Sequence, residues 1–155
     1  MEHKTLVTAE PGTQELDVTR EFDLPVELLF KAYVEPDILE QWMGTNVLKL
    51  ENKQHGGYQF ETTDAQGKPV FQAHGVIHDF IPNEKITRTF EMMNTPFSVQ
   101  LEFMEFAPLT AGTSKLTLHV VYRSAAQRDQ LLQMGFAPGI NMAHNRLQDV
   151  AGQLR

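Results

Sequence analysis

Arg88 is the residue of this chain whose type and position most invite chemistry. Strand alternation places it on one face with Ile86, Phe90 and Met92, a face that must pack inward. A guanidinium there needs a partner or water, because an unpaired buried charge is very costly. Its planar fork suits a ligand carboxylate. The competing readings are a salt bridge to an internal carboxylate such as Glu105, or a strand twist that leaves Arg88 at an edge. His144 is the second candidate. It is the polar member of a helical stripe made with Ile140, Ala143, Leu147, Val150 and Leu154. Its titration near neutrality would suit a general acid or base; alternatively it is a core histidine bonded to a strand carbonyl or to Tyr122. With Arg88 or Tyr122 stabilising developing negative charge, His144, Arg88 and Tyr122 are the catalytic candidates. Arg20 also has inward parity, beside Leu16, Val18 and Phe22, and is read as structural.

Other chemistries find no support. His74 and His78 share a strand face, but four residues along a strand separate them by roughly 13 Å, too far to ligate one metal. Cys is absent, which removes thiol catalysis, disulfides and Cys-based zinc sites. No nucleophile elbow, P-loop or dinucleotide-binding glycine pattern occurs. Neither a metal nor a cofactor is expected.

The elements that would position these residues follow from periodicity. Residues 1–13 read as a polar arm with a short edge strand at Leu6–Thr8, and 14–155 as one domain. Gln14–Phe22 alternates as a half-buried strand. Asp23 and Pro25 open a helix carrying Val26, Leu29, Phe30 and Tyr33. Pro36 opens a second helix that Gly44 ends. Strands follow at Val47–Glu51, Tyr58–Thr63, Val70–Phe80, Lys85–Met92, Phe97–Phe106 and Ser114–Tyr122. On Phe97–Phe106 the inward set is read as Phe97, Val99, Leu101 and Phe103. Ser124 and Gln127 form a capping box for a long amphipathic helix. Gly135-Phe-Ala-Pro138-Gly139 should interrupt it, because Pro138 cannot continue a helix, with a restart near Pro138. The order predicts an α+β fold, helices on one face of an antiparallel sheet of six or seven strands.

Composition bounds the rest. At 155 residues the chain is most simply one domain. A net charge of −7 with no basic run argues against nucleic acid. No apolar stretch approaches the ~20 residues that span a bilayer, and Met1–Pro11 lacks a signal-peptide core. A cytoplasmic protein without membrane insertion is expected.

Thr19-Arg20-Glu21-Phe22-Asp23 with Pro25, then Glu27-Leu28-Leu29-Phe30-Lys31-Ala32-Tyr33, Glu35-Pro36 and Gln41-Trp42 resemble the opening of the SRPBCC (START-like) superfamily. The branch they resemble is the one related to the C-terminal domain of the heat-shock chaperone ATPase activator. Gly56-Gly57-Tyr58, His74-Gly75-Val76, Pro82 through Ile86, Ser124 through Gly135, and Gly139 with Arg146-Leu147 continue the pattern. The resemblance implies a helix-grip fold, a curved sheet wrapped around a long C-terminal helix with a cavity between them. The family often has a second Trp where this chain has Met43, Trp at Ile140, Leu at His144, and an apolar residue at Arg88. A remodelled, more polar pocket is implied.

The expected lining is Trp42, Met43, Tyr58, Phe60, Phe90, Met92, Phe97, Phe103, Met134 and Phe136, joined by His74, Arg88, Tyr122, Ile140 and His144. The first functional expectation is binding of a small hydrophobic molecule, with or without an anionic group. The second is a cyclase, isomerase or hydrolase using the same cavity. The third is a protein that acts on a chaperone. Homodimerisation is compatible with each.

Overall fold

The computed structural model describes residues 3–155. Among them, eight strands form one antiparallel sheet. Leu6–Thr8 (β1) and Glu15–Phe22 (β2) precede two helices, Val26–Val34 (α1) and Pro36–Met43 (α2). Asn46–Leu50 (β3), Gly57–Thr63 (β4), Pro69–Ile81 (β5), Lys85–Met92 (β6), Gln100–Pro108 (β7) and Ser114–Val121 (β8) follow. Ala125–Gln133 (α3) and Phe136–Gly152 (α4) end the chain. The spatial order is β1-β2-β8-β7-β6-β5-β4-β3. The sheet is one strand larger than the upper expectation because β1 pairs with β2, Leu6 opposite Thr19. Register shifts at Val47/Lys49, Thr62/Thr63 and Ile77/Asp79 mark bulges. Bulges bend a strand and increase its twist, which suits a sheet that curves around a helix. The result is the α+β helix-grip architecture.

The helices are tied down by side chain to backbone bonds. Trp42 Nε1 donates to the Ala32 carbonyl at 2.8 Å, locking α2 onto α1. Gly44, with φ of 67°, ends α2 in the left-handed conformation that glycine tolerates best. Arg146 Nε donates to the Trp42 carbonyl, and Gln148 Oε1 accepts from the Asp23 backbone N–H. These contacts fix the C-terminal half of α4 over a core that includes Phe22, Leu29, Trp42, Phe60 and Leu147. A smaller cluster, Leu16, Val18, Val120 and Tyr122, lies under Leu131, Phe136 and Ile140 at the other end.

Three local expectations are corrected. Asp23 does not cap α1. The N-cap is Pro25, whose carbonyl accepts from both Leu28 and Leu29, while the Asp23 carboxylate bonds His3. The break falls within the expected interruption, at Gly135 with φ of 88°, but α4 restarts at Phe136, earlier than the restart expected near Pro138. Pro138 then sits in the first turn, where its missing N–H leaves no bond unmade. On β7 the parity is the reverse of the expected one. Glu102, Met104 and Phe106 are buried, whereas Val99 and Phe103 are 48% and 36% exposed.

The capping box is half formed. Ser124 Oγ accepts from Gln127 N. The Gln127 side chain turns outward instead, and its Oε1 accepts from Ser98 N at 3.1 Å. α3 is thereby fastened to the segment leading into β7.

Two glycines flanking the break give opposite expectations. A Cβ at either Gly135 or Gly139 would meet nothing within 4 Å, so backbone conformation decides. Gly139→Ala, inside α4, should stabilise the protein by about 0.5–1 kcal/mol. Gly135→Ala, at positive φ, should cost about 1 kcal/mol or more. Thermal denaturation should move the two midpoints in opposite directions by about 2–4 °C each.

Candidate functional site

The N-terminal half of α4 spans the concave face of the sheet and encloses a partly open pocket of about 470 Å³. Trp42 and Met43, at the end of α2, close one side, with Tyr33 of α1 behind them. The sheet contributes Phe71 from β5; Arg88, Phe90 and Met92 from β6; Gln100, Glu102 and Met104 from β7; and Leu118 and Val120 from β8, with Tyr122 just beyond it. Leu131 of α3 and Phe136, Gly139, Ile140, Ala143 and His144 of α4 form the roof.

Arg88 does not stand alone there. The register of β6 and β7 sets it directly opposite Glu102. Arg88 Nε donates to Glu102 Oε1 at 2.9 Å, and the two side chains are only 12% and 10% exposed. Gln100 Nε2 donates to the second carboxylate oxygen at 2.8 Å. The guanidinium carbon lies 4.7 Å from the centre of the Tyr58 ring, a cation–π contact. Tyr58 is itself anchored by its hydroxyl to the Thr89 carbonyl. Gly75 makes this stack possible, because a Cβ there would come within 2.0 Å of the Thr89 carbonyl oxygen and 2.6 Å of the Tyr58 hydroxyl. Burial opposes the charge on Arg88, but Tyr58 and the Glu102 carboxylate outweigh it, and its pKa lies above the ordinary value. Burial also pushes the phenols of Tyr33, Tyr58 and Tyr122 up.

The internal carboxylate is therefore Glu102 and not Glu105, which lies on the outer face. Reading the parity of β7 the other way hid it. Arg88 could not correct that reading: an inward arginine on β6 calls for an inward carboxylate, and either parity of β7 supplies one, Glu105 or Glu102.

His144 is 1% exposed. Its partner is neither a strand carbonyl nor Tyr122 but Thr5 of the N-terminal segment, whose Oγ1 lies 2.7 Å from Nδ1. Thr5 N donates to Asn141 Oδ1, one turn earlier on α4. Arg20 completes the network, donating to Thr5 Oγ1, Asn141 Oδ1 and Asn145 Oδ1. Arg20 thus joins β2 to α4, as a structural role requires. The Phe22 ring meets the imidazole edge-on at 5.5 Å. Burial, with Arg20 nearby, lowers the His144 pKa from 6.5 to about 3.

The structure gathers Trp42, Met43, Arg88, Phe90, Met92, Tyr122, Phe136, Ile140 and His144 around one pocket. Six other expected lining residues lie elsewhere. Tyr58 and Phe60 are packed in the core beneath the floor. His74 points outward and bonds Glu91 at 2.8 Å. Phe97 is buried in the segment before β7, outside the lining. Phe103 faces outward beside His119, and Met134 is 68% exposed at the helix break. Among the described residues no group of His, Asp and Glu side chains is arranged to hold a metal ion.

The histidine gives a pH expectation. Above about 6.5 it is neutral folded and unfolded, and its contribution to stability is fully present. Below 6.5 the unfolded chain takes up a proton that the folded one refuses until about 3, so stability falls across that window. Between pH 7 and pH 5 the loss from this group should be about 2 kcal/mol. His144→Leu should escape it. Denaturant titrations at both pH values should show the variant gaining about that much on the wild type at pH 5; an unchanged gap would mean that His144 ionises freely.

Known proteins place this geometry. No curated protein matches the chain. Solved structures do. A Mycobacterium smegmatis protein is 22% identical, with 95% of this chain and 96% of that one covered and a TM-score of 0.83. A Rhodobacter sphaeroides protein is 19% identical, with 97% and 100% covered and a TM-score of 0.82. One from Arthrobacter aurescens is 15% identical, with 96% and 91% covered and a TM-score of 0.84. At these identities they are similar in fold alone. Among the described residues no helix is long and apolar enough to cross a membrane. The family model described as "Activator of Hsp90 ATPase homolog 1-like protein" matches residues 23–152. The chain belongs to that family, within the SRPBCC superfamily.

Proposed function

We propose that this protein is a cytoplasmic binding module that holds a small, mostly apolar molecule in the pocket between the sheet and α4. The observation that carries the reading is the pocket itself. About 470 Å³ falls within the roughly 300–1,000 Å³ typical of small-molecule sites. Its lining is mostly aromatic and aliphatic and includes Met43, Met92 and Met104, flexible side chains that adapt to varied shapes.

Acid–base catalysis finds less support in the same residues. A general base should titrate near the working pH. His144, with a pKa of about 3, is neutral at pH 7 but a weak proton acceptor, and its Nδ1 is occupied by Thr5. Burial raises Tyr122 away from neutrality. A chaperone partner is the second reading, favoured by the family's description alone, and a pull-down with the cognate chaperone tests it.

Thermal denaturation with a panel of aromatic hydrocarbons, ketones, fatty acids and sterols tests the binding reading. A ligand present at about 100 times its Kd should add about 2.7 kcal/mol, several degrees for a domain of this size. Ile140→Trp would fill the roof of the pocket and should abolish the shift while leaving the protein folded. A panel without any shift, or a shift that persists in Ile140→Trp, would contradict ligand binding at this site.

A further inference from the structure

The polar groups of the pocket restrict which apolar molecules suit it. Among the described residues, Arg88 and Glu102 are the charged members of the lining, and they neutralise each other. Glu102 has both oxygens engaged, one by Arg88 Nε and one by Gln100 Nε2. Arg88 is engaged on one side only. Its Nε holds Glu102, while its two terminal nitrogens have no hydrogen-bond partner among the described residues. Pairing with Glu102 and stacking on Tyr58 hold the guanidinium in place. A further donor lies nearby. Leu101 pairs with Val121, so Gln100 and Tyr122, one step along, are neighbours on the concave face. The buried Tyr122 hydroxyl has no partner either. The floor offers unused donors and carries no net charge.

Three kinds of buried end can be weighed against that floor. A pure hydrocarbon would shield the Arg88 N–H groups from water and leave them unpaired, which is costly. A carboxylate would satisfy them but bring a second anion beside Glu102 where little water screens it. A neutral carbonyl-type oxygen accepts a charge-assisted hydrogen bond and adds no charge. We propose that the pocket selects neutral apolar molecules bearing a carbonyl-type oxygen (ketone, ester, lactone or amide) at the buried end, accepted by the terminal nitrogens of Arg88, and that it discriminates against carboxylates. The inference rests on the pocket being the ligand site. It replaces the anionic ligand that Arg88 alone invites, because Glu102 already supplies the anion.

Three probes of one skeleton test it on the full chain: methyl naphthyl ketone, ethylnaphthalene and naphthoate, each titrated calorimetrically near neutral pH. The ketone should bind about tenfold or more tightly than either of the others, the value of one good hydrogen bond to a charged donor. Arg88→Met alone would strand Glu102 and risk unfolding, so the informative variant is Arg88→Met with Glu102→Met. It should keep ethylnaphthalene binding and lose the preference for the ketone. Tightest binding by naphthoate, equal binding of ketone and hydrocarbon, or a ketone preference that survives in the double variant would overturn the selectivity while leaving ligand binding standing. Absence of binding by all three probes, together with an empty hydrophobic panel, would overturn both.

Discussion

The pairing of Arg88 with Glu102 across β6 and β7 is the constraint around which the rest of the site is arranged. Two opposite charges face the concave side of the sheet, where most neighbours are apolar. Neither could stay there alone, since an uncompensated buried charge costs several kcal/mol. Together they are tolerable because the carboxylate receives two hydrogen bonds and the guanidinium rests on the Tyr58 ring. Such a pair adds little net stability compared with well-packed hydrophobic residues. Its consequence is geometric. An apolar helix face pressed directly onto it would strip the remaining Arg88 donors of water, so this stretch of sheet favours a gap. Gly75, tucked against Tyr58 and the Thr89 carbonyl, lets the aromatic support sit close beneath the pair.

The helix completes the gap by being held at one end and opened at the other. The C-terminal half of α4 is clamped through Arg146 and Gln148. Its close neighbours are α2, α1, α3 and β1. At Gly135 the backbone turns left-handed and separates α3 from α4. α3 is pinned separately, by buried Arg128, which donates to the carbonyls of Glu10 and Glu15 and to Thr13 Oγ1. The N-terminal segment thus braces both helices: Thr5 bonds α4 through His144 and Asn141, and residues 10–15 bond α3. His144 belongs to this bracing on one edge and to the pocket roof on the other. Its low pKa follows from that double position, buried and beside Arg20.

The elements were legible in the sequence because strong local signals marked them. Lys85–Met92 is a strand to the residue, bounded by the turn at Asn83, whose φ is 63°. Ser124 caps α3, and Gly44 ends α2. The break in the final helix was visible in Gly135-Phe-Ala-Pro138-Gly139, although Gly135 and not Pro138 makes it. Two contacts were not legible. The parity of β7 was ambiguous because each of its faces carries apolar residues and a carboxylate, Glu102 on one and Glu105 on the other, so neither alternation nor Arg88 could choose. The bond between Thr5 and His144 joins residues 139 positions apart, and no periodicity speaks to such a distance. Arg88 and His144 could be recognised as unusual from their positions. What neutralises one and restrains the other required the fold.

Arg88 and Glu102 act as one neutral unit in the floor of the pocket. A double-mutant cycle on folding stability tests this most directly, using Arg88→Met, Glu102→Met and the two together. Each single substitution should cost about 3–5 kcal/mol, because it strands the other charge, whereas the double variant should lie within about 1 kcal/mol of the wild type or above it. Single substitutions that cost little, or costs that simply add in the double variant, would mean that the two charges do not depend on each other.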